Sequence, residues 1–342
     1  MSRSISRSAP GSVSWILENT VWLNSALIWV WFGFHELIGD RVGLVGTLDM
    51  FAVYFFVPLA LTFPFLVHRR AARLWVVWAA SMLVFVGLWH GLFLPRSSRA
   101  GGAEPTLRVM TYNVLGTQND YQSLLDNIRD AHPDVVFLQE VNPEFAQHIA
   151  TELANEFPFQ VLEPKPGVNG MATISKYALS PTGESLGLVW VGTPQLLTLD
   201  WNGERVALVN FHTLPPRLSW EEYMRENFRI RNEQARAIAG YVEHHLHRGP
   251  MVCAGDLNAV QISTAYRTLR AQMNDAWLDG AIGPGNTFPN DTTIQPRMFR
   301  IDYIFASSRF ATLRAFLARD EGGSDHRGVV ADLAMTRLAT NE

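Results

Sequence analysis

The segment Gly322-Gly323-Ser324-Asp325-His326 puts a carboxylate and an imidazole side by side in a glycine-flanked loop, downstream of Arg300-Ile301-Asp302-Tyr303-Ile304. Asp302 stands alone in an apolar run, and a carboxylate buried there needs a partner. Such a set can bind a metal, contact a phosphate and hold the imidazole in one tautomer. Four earlier segments also end an apolar run in polar side chains. They are Met110-Thr111-Tyr112-Asn113, Phe137-Leu138-Gln139-Glu140, Val209-Asn210-Phe211-His212 and Ala254-Gly255-Asp256-Leu257-Asn258. Strand ends are where α/β proteins gather reacting groups.

Asp256 and Asn258 are two apart, so an extended backbone projects both to one face. One can hold or deprotonate a water while the other hydrogen-bonds the group under attack. Glu140 and Asp325 are hard oxygen ligands, suited to Mg²⁺ or Mn²⁺ rather than zinc. His326 and His212 can donate to phosphate oxygens, and Asp302 can accept from His326. Singly, most of these have a plainer reading. Asp256 with Asn258 can be a turn or helix cap, Asn113 a turn residue, Glu140 a solvated strand end, and Ser324-Asp325-His326 a turn. Joint occurrence in this order is what favours chemistry. His244, His245 and His247 fall at a helix end, where cations are favourable without any metal.

Short apolar runs supply the strands that must carry these groups: 107–112, 135–138, 172–175, 196–199, 206–211, 251–254, 301–306 and 329–333. Helical stretches intervene at 121–131, 143–156, 220–246 and 262–272. The run from Asp134 to Glu140 is apolar throughout its middle, as expected of a strand covered on both faces. The mixture of βα alternation and consecutive strands predicts sheets packed together with helices outside. Cys253, the only cysteine, excludes an internal disulfide and reads as a small core residue.

Charge divides the chain. Residues 1–103 carry eight Lys/Arg and four Asp/Glu, while residues 104–342 carry twenty and twenty-eight, a net of −8. Seven of the eleven Trp lie in the first part. Three apolar runs there, at roughly 19–37, 46–67 and 74–95, approach the ~20 residues that span a bilayer core. A signal peptide does not account for three runs. The alternative to three spans is two spans with an interfacial helix. Arg69, Arg70 and Arg73 lie between the second and third runs, and Arg3 and Arg7 precede the first. The positive-inside rule therefore places these segments in the cytoplasm and the rest of the chain outside, against the smaller pull of Arg96 and Arg99. The expected organisation is a membrane region at 1–95, a polar linker at 96–105 and a catalytic domain at 106–336.

The order Asn113, Glu140, His212, Asp256-x-Asn258, Asp302, Ser324-Asp325-His326 resembles the endonuclease/exonuclease/phosphatase superfamily. Gly170-Met171-Ala172-Thr173-Ile174-Ser175-Lys176 and Thr287-Phe288-Pro289 are similar to further family strings. The resemblance covers about 107–333. It implies a four-layer α/β/β/α sandwich, two packed mixed sheets flanked by helices; the N-terminal helical transmembrane region expected from the apolar runs precedes it. It also implies divalent-metal phosphoester hydrolysis. Carried over by position, Glu140 is the principal metal ligand, with Asn113 beside it and Asp325 a metal-side carboxylate. Asp256 orients or deprotonates water, Asn258 holds a non-bridging oxygen and His212 contacts phosphate. Asp302 supports His326, which stabilises the pentavalent transition state. The DNA-repair branch has an aspartate where this chain has Leu115, which argues against a second metal position and a repair role.

Substrate expectations follow from charge and location. DNA affinity rests largely on Lys/Arg neutralising phosphates, so a domain of net −8 argues against a general nuclease. Arg225, Arg229, Arg231 and Arg236 read as a solvated helix face interspersed with Glu. A domain tethered outside the cell membrane favours a lipid-linked or membrane-proximal phosphoester. The chain looks similar to membrane-anchored superfamily members, including the type associated with teicoplanin resistance. The alternatives are an extracytoplasmic nuclease or nucleotide phosphodiesterase, and a non-catalytic membrane-anchored binding domain.

Overall fold

The N-terminal apolar runs fold as helices in the computed structural model, which describes residues 12–94, 105–217, 219–289, 297–320 and 322–336. Helix α1 spans Ser12–Leu37. Helix α2 (Gly43–Phe51) continues through a 3₁₀ segment into α3 (Val57–Arg69), and α4 spans Ala72–Trp89. Segments Gly43–Arg69 and Ala72–Leu92 are long and apolar enough to cross a membrane by length and composition. Only 28% and 22% of their most apolar windows are buried, so most of that surface is not covered by the rest of the chain. Asp49 is tolerated in this setting because His35 Nδ1 and Trp31 Nε1 reach its two oxygens at 3.0 and 2.9 Å. The predicted linker at 96–105, like Arg3, Arg7, Arg96 and Arg99, lies almost wholly outside the described residues.

The two ends of the helical bundle differ. At one end Arg69 Nε donates to Glu18 at 2.7 Å, and Arg73 lies 3.6 Å from the same carboxylate, so the basic turn sits beside the start of α1. The other end meets the C-terminal part of the chain.

That part opens with β1 (Thr106–Asn113), α5 (Tyr121–Ala131), β2 (Val135–Gln139) and α6 (Pro143–Glu152). Then come β3 (Phe159–Glu163), β4 (Met171–Ser175), β5 (Leu179–Pro181), β6 (Gly192–Trp201) and β7 (Glu204–His212). The chain continues through α7 (Glu221–His245), β8 (Met251–Asp256), α8 (Thr264–Arg270), β9 (Asn274–Asp275) and α9 (Ala276–Gly280). It finishes with β10 (Asp302–Ala306), β11 (Phe310–Leu317) and β12 (Val329–Met335).

Two six-stranded mixed sheets result, ordered β11-β12-β1-β2-β4-β3 and β5-β6-β7-β8-β10-β9. The pairs β1–β2 and β7–β8 are parallel, and the other named pairs are antiparallel. Side chains alternate between faces with period two. Val109, Phe137, Leu208, Ala254 and Ile304 meet between the sheets. Met110, Val136 and Leu138 face outward onto α5 and α6. Val209, Phe211, Cys253 and Phe305 face α7 and α8. This is the predicted α/β sandwich. Strands β3, β5, β9 and β11 are additions to the sequence reading.

The helical region docks on α7 and α8 through reciprocal capping. Glu221 accepts from Gly43 N and Leu44 N at 2.7 and 2.9 Å, satisfying the orphan donors that open α2. Asp40 accepts from Thr264 N and Oγ1 at 3.3 and 2.8 Å at the start of α8. Gly46 is required by close approach, since a Cβ there would meet the Phe228 ring at 2.9 Å.

Arg300 and Asp275 form a bidentate, fully buried ion pair at 3.1 and 2.8 Å that joins β9 to the residues just before β10. Removing one partner strands a buried charge. Asp275→Ala is expected to destabilise the detergent-solubilised chain by about 3–5 kcal/mol, read from its denaturation midpoint. A change within 0.5 kcal/mol would contradict the pairing.

Candidate active site

The alternation that fills the inter-sheet core also builds the site. Asn113, His212 and Asp256 end β1, β7 and β8, and Asp302 begins β10 opposite Asp256. All have the parity of the inter-sheet face. The apolar stack therefore ends in polar groups at one open edge of the sandwich. One layer deeper, Gln139 Nε2 donates to Asn210 Oδ1 at 2.8 Å. Asn210 Nδ2 donates across to Leu138 O and Ala172 O at 3.2 and 2.9 Å, tying the sheets together.

Glu140 has the wrong parity for this face. It enters through a backbone φ of 64°, a left-handed conformation uncommon for a non-glycine residue. Its two oxygens accept from Asn113 Nδ2 at 3.0 Å and Gly116 N at 3.1 Å. The same Asn113 amide donates to Asp256 Oδ2 at 3.1 Å. Burial pushes the Glu140 carboxyl up from its ordinary value, with the Asn113 and Gly116 hydrogen bonds opposing and Asp325 adding to the rise.

Asn258 corrects an expectation. The strand ends at Asp256, and Asn258 has a φ of 51°, so no extended backbone presents the two side chains. Instead Asp256 Oδ1 accepts from Asn258 N at 2.8 Å, closing a turn. Asn258 Nδ2 donates to Thr213 O at 3.1 Å, which aims the amide across β7. The plainer turn reading and the functional one describe the same residues. Just before the turn, Gly255 lets β8 lie close to β7, since a Cβ there would lie 1.9 Å from Phe211 O.

Ser324 pins the last loop. Its hydroxyl donates to Asn113 O at 2.7 Å and accepts from His326 N at 3.0 Å. His326 Nδ1 donates to Asp302 Oδ2 at 2.9 Å, and His326 Nε2 lies 3.8 Å from Asp256 Oδ2. Burial disfavours the imidazolium, but Asp302, Asp256 and Asp325 outweigh it and raise the pKa to about 10. His212 goes the opposite way. Burial, then the charge of His326, lowers it to about 3. Its Nε2 lies 3.6 Å from Asp256 and 3.9 Å from Glu140. The site thus pairs a charged histidine with a neutral one. Burial and the neighbouring Asp302 raise the Asp256 carboxyl, with His326 opposing.

Asp256, Asp302 and His326 are the group of potential metal ligands whose donor atoms lie within 4.8 Å of one another among the described residues. Two of the three are already joined as a hydrogen-bonded ion pair. Asp302 Oδ1 lacks a hydrogen-bond partner. Of the expected oxygen ligands, Glu140 and Asp325 are hard carboxylates, whereas Asn113 turns its Nδ2 to Glu140 and Asp256 and its Oδ1 accepts from Leu115 N at 3.1 Å. All eight residues expected from sequence converge on this edge.

Arg231 was expected on a solvated face with Arg225, Arg229 and Arg236. Arg229 does pair with Glu226 and Glu233 on the surface. Arg231 is instead buried, donating to Asn258 O at 2.7 Å and stacking on Phe228 at 4.6 Å. Burial lowers its pKa to about 10, with Asp40 and Asp256 opposing. His244, His245 and His247 lie at the end of α7, where His245 bonds Tyr241 O.

Several known proteins share this architecture. A Beutenbergia cavernae endonuclease/exonuclease/phosphatase structure superposes with a TM-score of 0.50 at 24% identity, covering 67% of this chain and 72% of that one. The AP endonuclease of Leishmania major gives 0.54 at 20% identity, over 73% and 95%. A UPF0294 protein of Erwinia tasmaniensis is 29% identical over 176 residues, 48% of this chain and 61% of the relative, so the chain spans under two thirds of that relative's length. The model of the Endonuclease/Exonuclease/phosphatase family matches residues 110–326, which run from β1 to His326 and take in each of the eight residues. With that match over more than half its length, the chain belongs to the endonuclease/exonuclease/phosphatase family and is by family a hydrolase of phosphate esters.

Proposed function

We propose that this protein is a membrane-anchored, divalent-metal-dependent phosphoesterase that hydrolyses a lipid-linked or membrane-proximal phosphate ester outside the cell membrane. Residues 1–95 form the membrane region, 96–105 the linker and 106–336 the catalytic domain. The observation that carries the reading is the meeting of a phosphoester-type site with α2, the start of an apolar segment long enough to span a bilayer.

Asp256, whose raised pKa suits a proton acceptor, takes a proton from water. The water oxygen bonds to phosphorus in line as the ester P–O bond opposite breaks, and the leaving oxygen takes a proton from solvent. Asn258 Nδ2 and neutral His212 donate to non-bridging oxygens. His326, held charged and oriented by Asp302, stabilises the added negative charge of the pentavalent transition state. A divalent cation held by Glu140, with Asn113 and Asp325, would neutralise phosphoryl oxygen charge. Arg231 acts through the backbone, fixing the carbonyl of Asn258 and hence its amide.

Topology supports the outward location. The basic Arg69–Arg73 turn and the docked C-terminal part occupy opposite ends of the helical bundle. By the positive-inside rule that leaves the site outside. The second reading, an extracytoplasmic nuclease, is disfavoured by the net charge of −8 over 104–342.

Asp256→Ala is expected to lower kcat on a soluble phosphodiester by about 10³-fold or more, and chelation should abolish activity that Mg²⁺ or Mn²⁺ restores. Wild-type inactivity on every phosphoester tried, metal present, would refute the enzyme reading. Arg231→Met should reduce kcat about 10- to 100-fold with a smaller change in KM, and Arg231→Lys should recover part of it. An effect on KM alone would contradict a positioning role. Protease added to intact cells should cleave the catalytic domain, and protection there would reverse the topology.

A further inference from the structure

An apolar groove runs between the helical region and the site. One cavity of about 250 Å³ is lined by Met50, Phe51, Arg217, Asn258 and Phe288. A second, of about 290 Å³, is lined by Met50, Val53, Trp89, Phe93 and Phe299. Met50 and Phe299 border both, so the two volumes adjoin along α2. The groove's inner end is at the chemistry. Asn258 forms part of its wall, and the Phe288 ring lies 4.8 Å from the His326 ring.

We propose that this groove holds one hydrocarbon chain of a lipid phosphoester, with the phosphate at Asn258 and the chain running past Met50 toward Trp89 and Phe93. The proposal rests on the membrane-proximal reading of function and names where such a substrate would sit. The occupant follows from the walls. Apolar side chains make up most of them, although Asp49, Gln261 and Arg300 also border the cavity by Trp89, and a nucleotide or sugar would leave the apolar surface facing water at a cost. Their far side is α2 and the end of α4, parts of the two apolar segments, so the groove is continuous with surface suited to hydrocarbon. Arg217, exposed on the connection between β7 and α7, lines the same cavity as Asn258. A guanidinium there matches an anionic head group.

The test uses the full chain in detergent and two probes, dodecyl and methyl p-nitrophenyl phosphate, which differ only in the alkyl chain. The dodecyl probe is kept below its micellar concentration. Wild-type kcat/KM should favour dodecyl by at least about tenfold. Met50→Glu, which puts a charge in both cavities, should bring that ratio close to one. Met50→Trp, which fills the groove without charge, should lower it as well. A ratio is insensitive to partial loss of folded protein, and the second variant covers the case in which the first does not fold. Equal wild-type rates on both probes, or a ratio unchanged in a folded Met50 variant, would overturn the groove. Phospholipid and polyprenyl phosphate in vesicles form a separate arm. A chain preference without hydrolysis of either vesicle lipid leaves the groove standing and overturns the lipid reading beneath it. Vesicle hydrolysis without a chain preference does the reverse.

Discussion

Asn210 joins the two sheets one layer beneath the reacting groups. From β7 its amide donates to backbone carbonyls of β2 and β4 and accepts from Gln139. A buried amide left without these partners would cost more than the bonds contribute, so the contact fixes how the sheets register against each other. Everything at the open edge depends on that register. Asn113 and Glu140 come from one sheet, and His212, Asp256 and Asp302 from the other. The hydrogen bond from Asn113 to Asp256 crosses between the sheets and exists only while they hold their alignment.

Within that frame, opposite charge states arise for two histidines from one cause acting against different neighbours. Both are buried, and burial disfavours an imidazolium. His326 gains Asp302 at hydrogen-bond distance and Asp256 and Asp325 nearby, and it stays charged. His212 has carboxylates only at longer range and feels the charge of His326, so it stays neutral. The site can then present a full positive charge on one side of a phosphate and a neutral donor on the other. This division needs no motion of either ring.

The helical region is part of the same physical unit. Glu221 caps α2, and Asp40 caps α8, so each part satisfies backbone donors that the other leaves open. From Asp40 the electrostatic chain passes to buried Arg231 and on to the Asn258 carbonyl. An N-terminal region that served only as a tether would not need this contact. Here it also shapes a cavity wall beside the site.

By itself the sequence determined the sandwich and the eight residues gathered at its edge. Unbroken apolar runs such as 135–138 and 251–254 read as strands covered on both sides, and the second ends in Asp256, whose parity faces the other sheet. Strand β3 escaped notice because it is a short, half-exposed edge. Strand β11 escaped because a bulge between Thr312 and Arg314 breaks its alternation. Two further features were decided by the tertiary structure alone. Glu140 and Asn258 reach the site through left-handed backbone, which no side-chain pattern encodes. The partners of Arg231 are the other: helical spacing sets it on the α7 face of Phe228, Ala235 and Ile238, apart from the solvated Arg225, Arg229 and Arg236, but not what it meets there. Phe228 lies one turn before it on α7, while Asp40 and Asn258 arrive from distant parts of the chain. Periodicity records which face a side chain takes; which partners meet it there is fixed only when the layers pack.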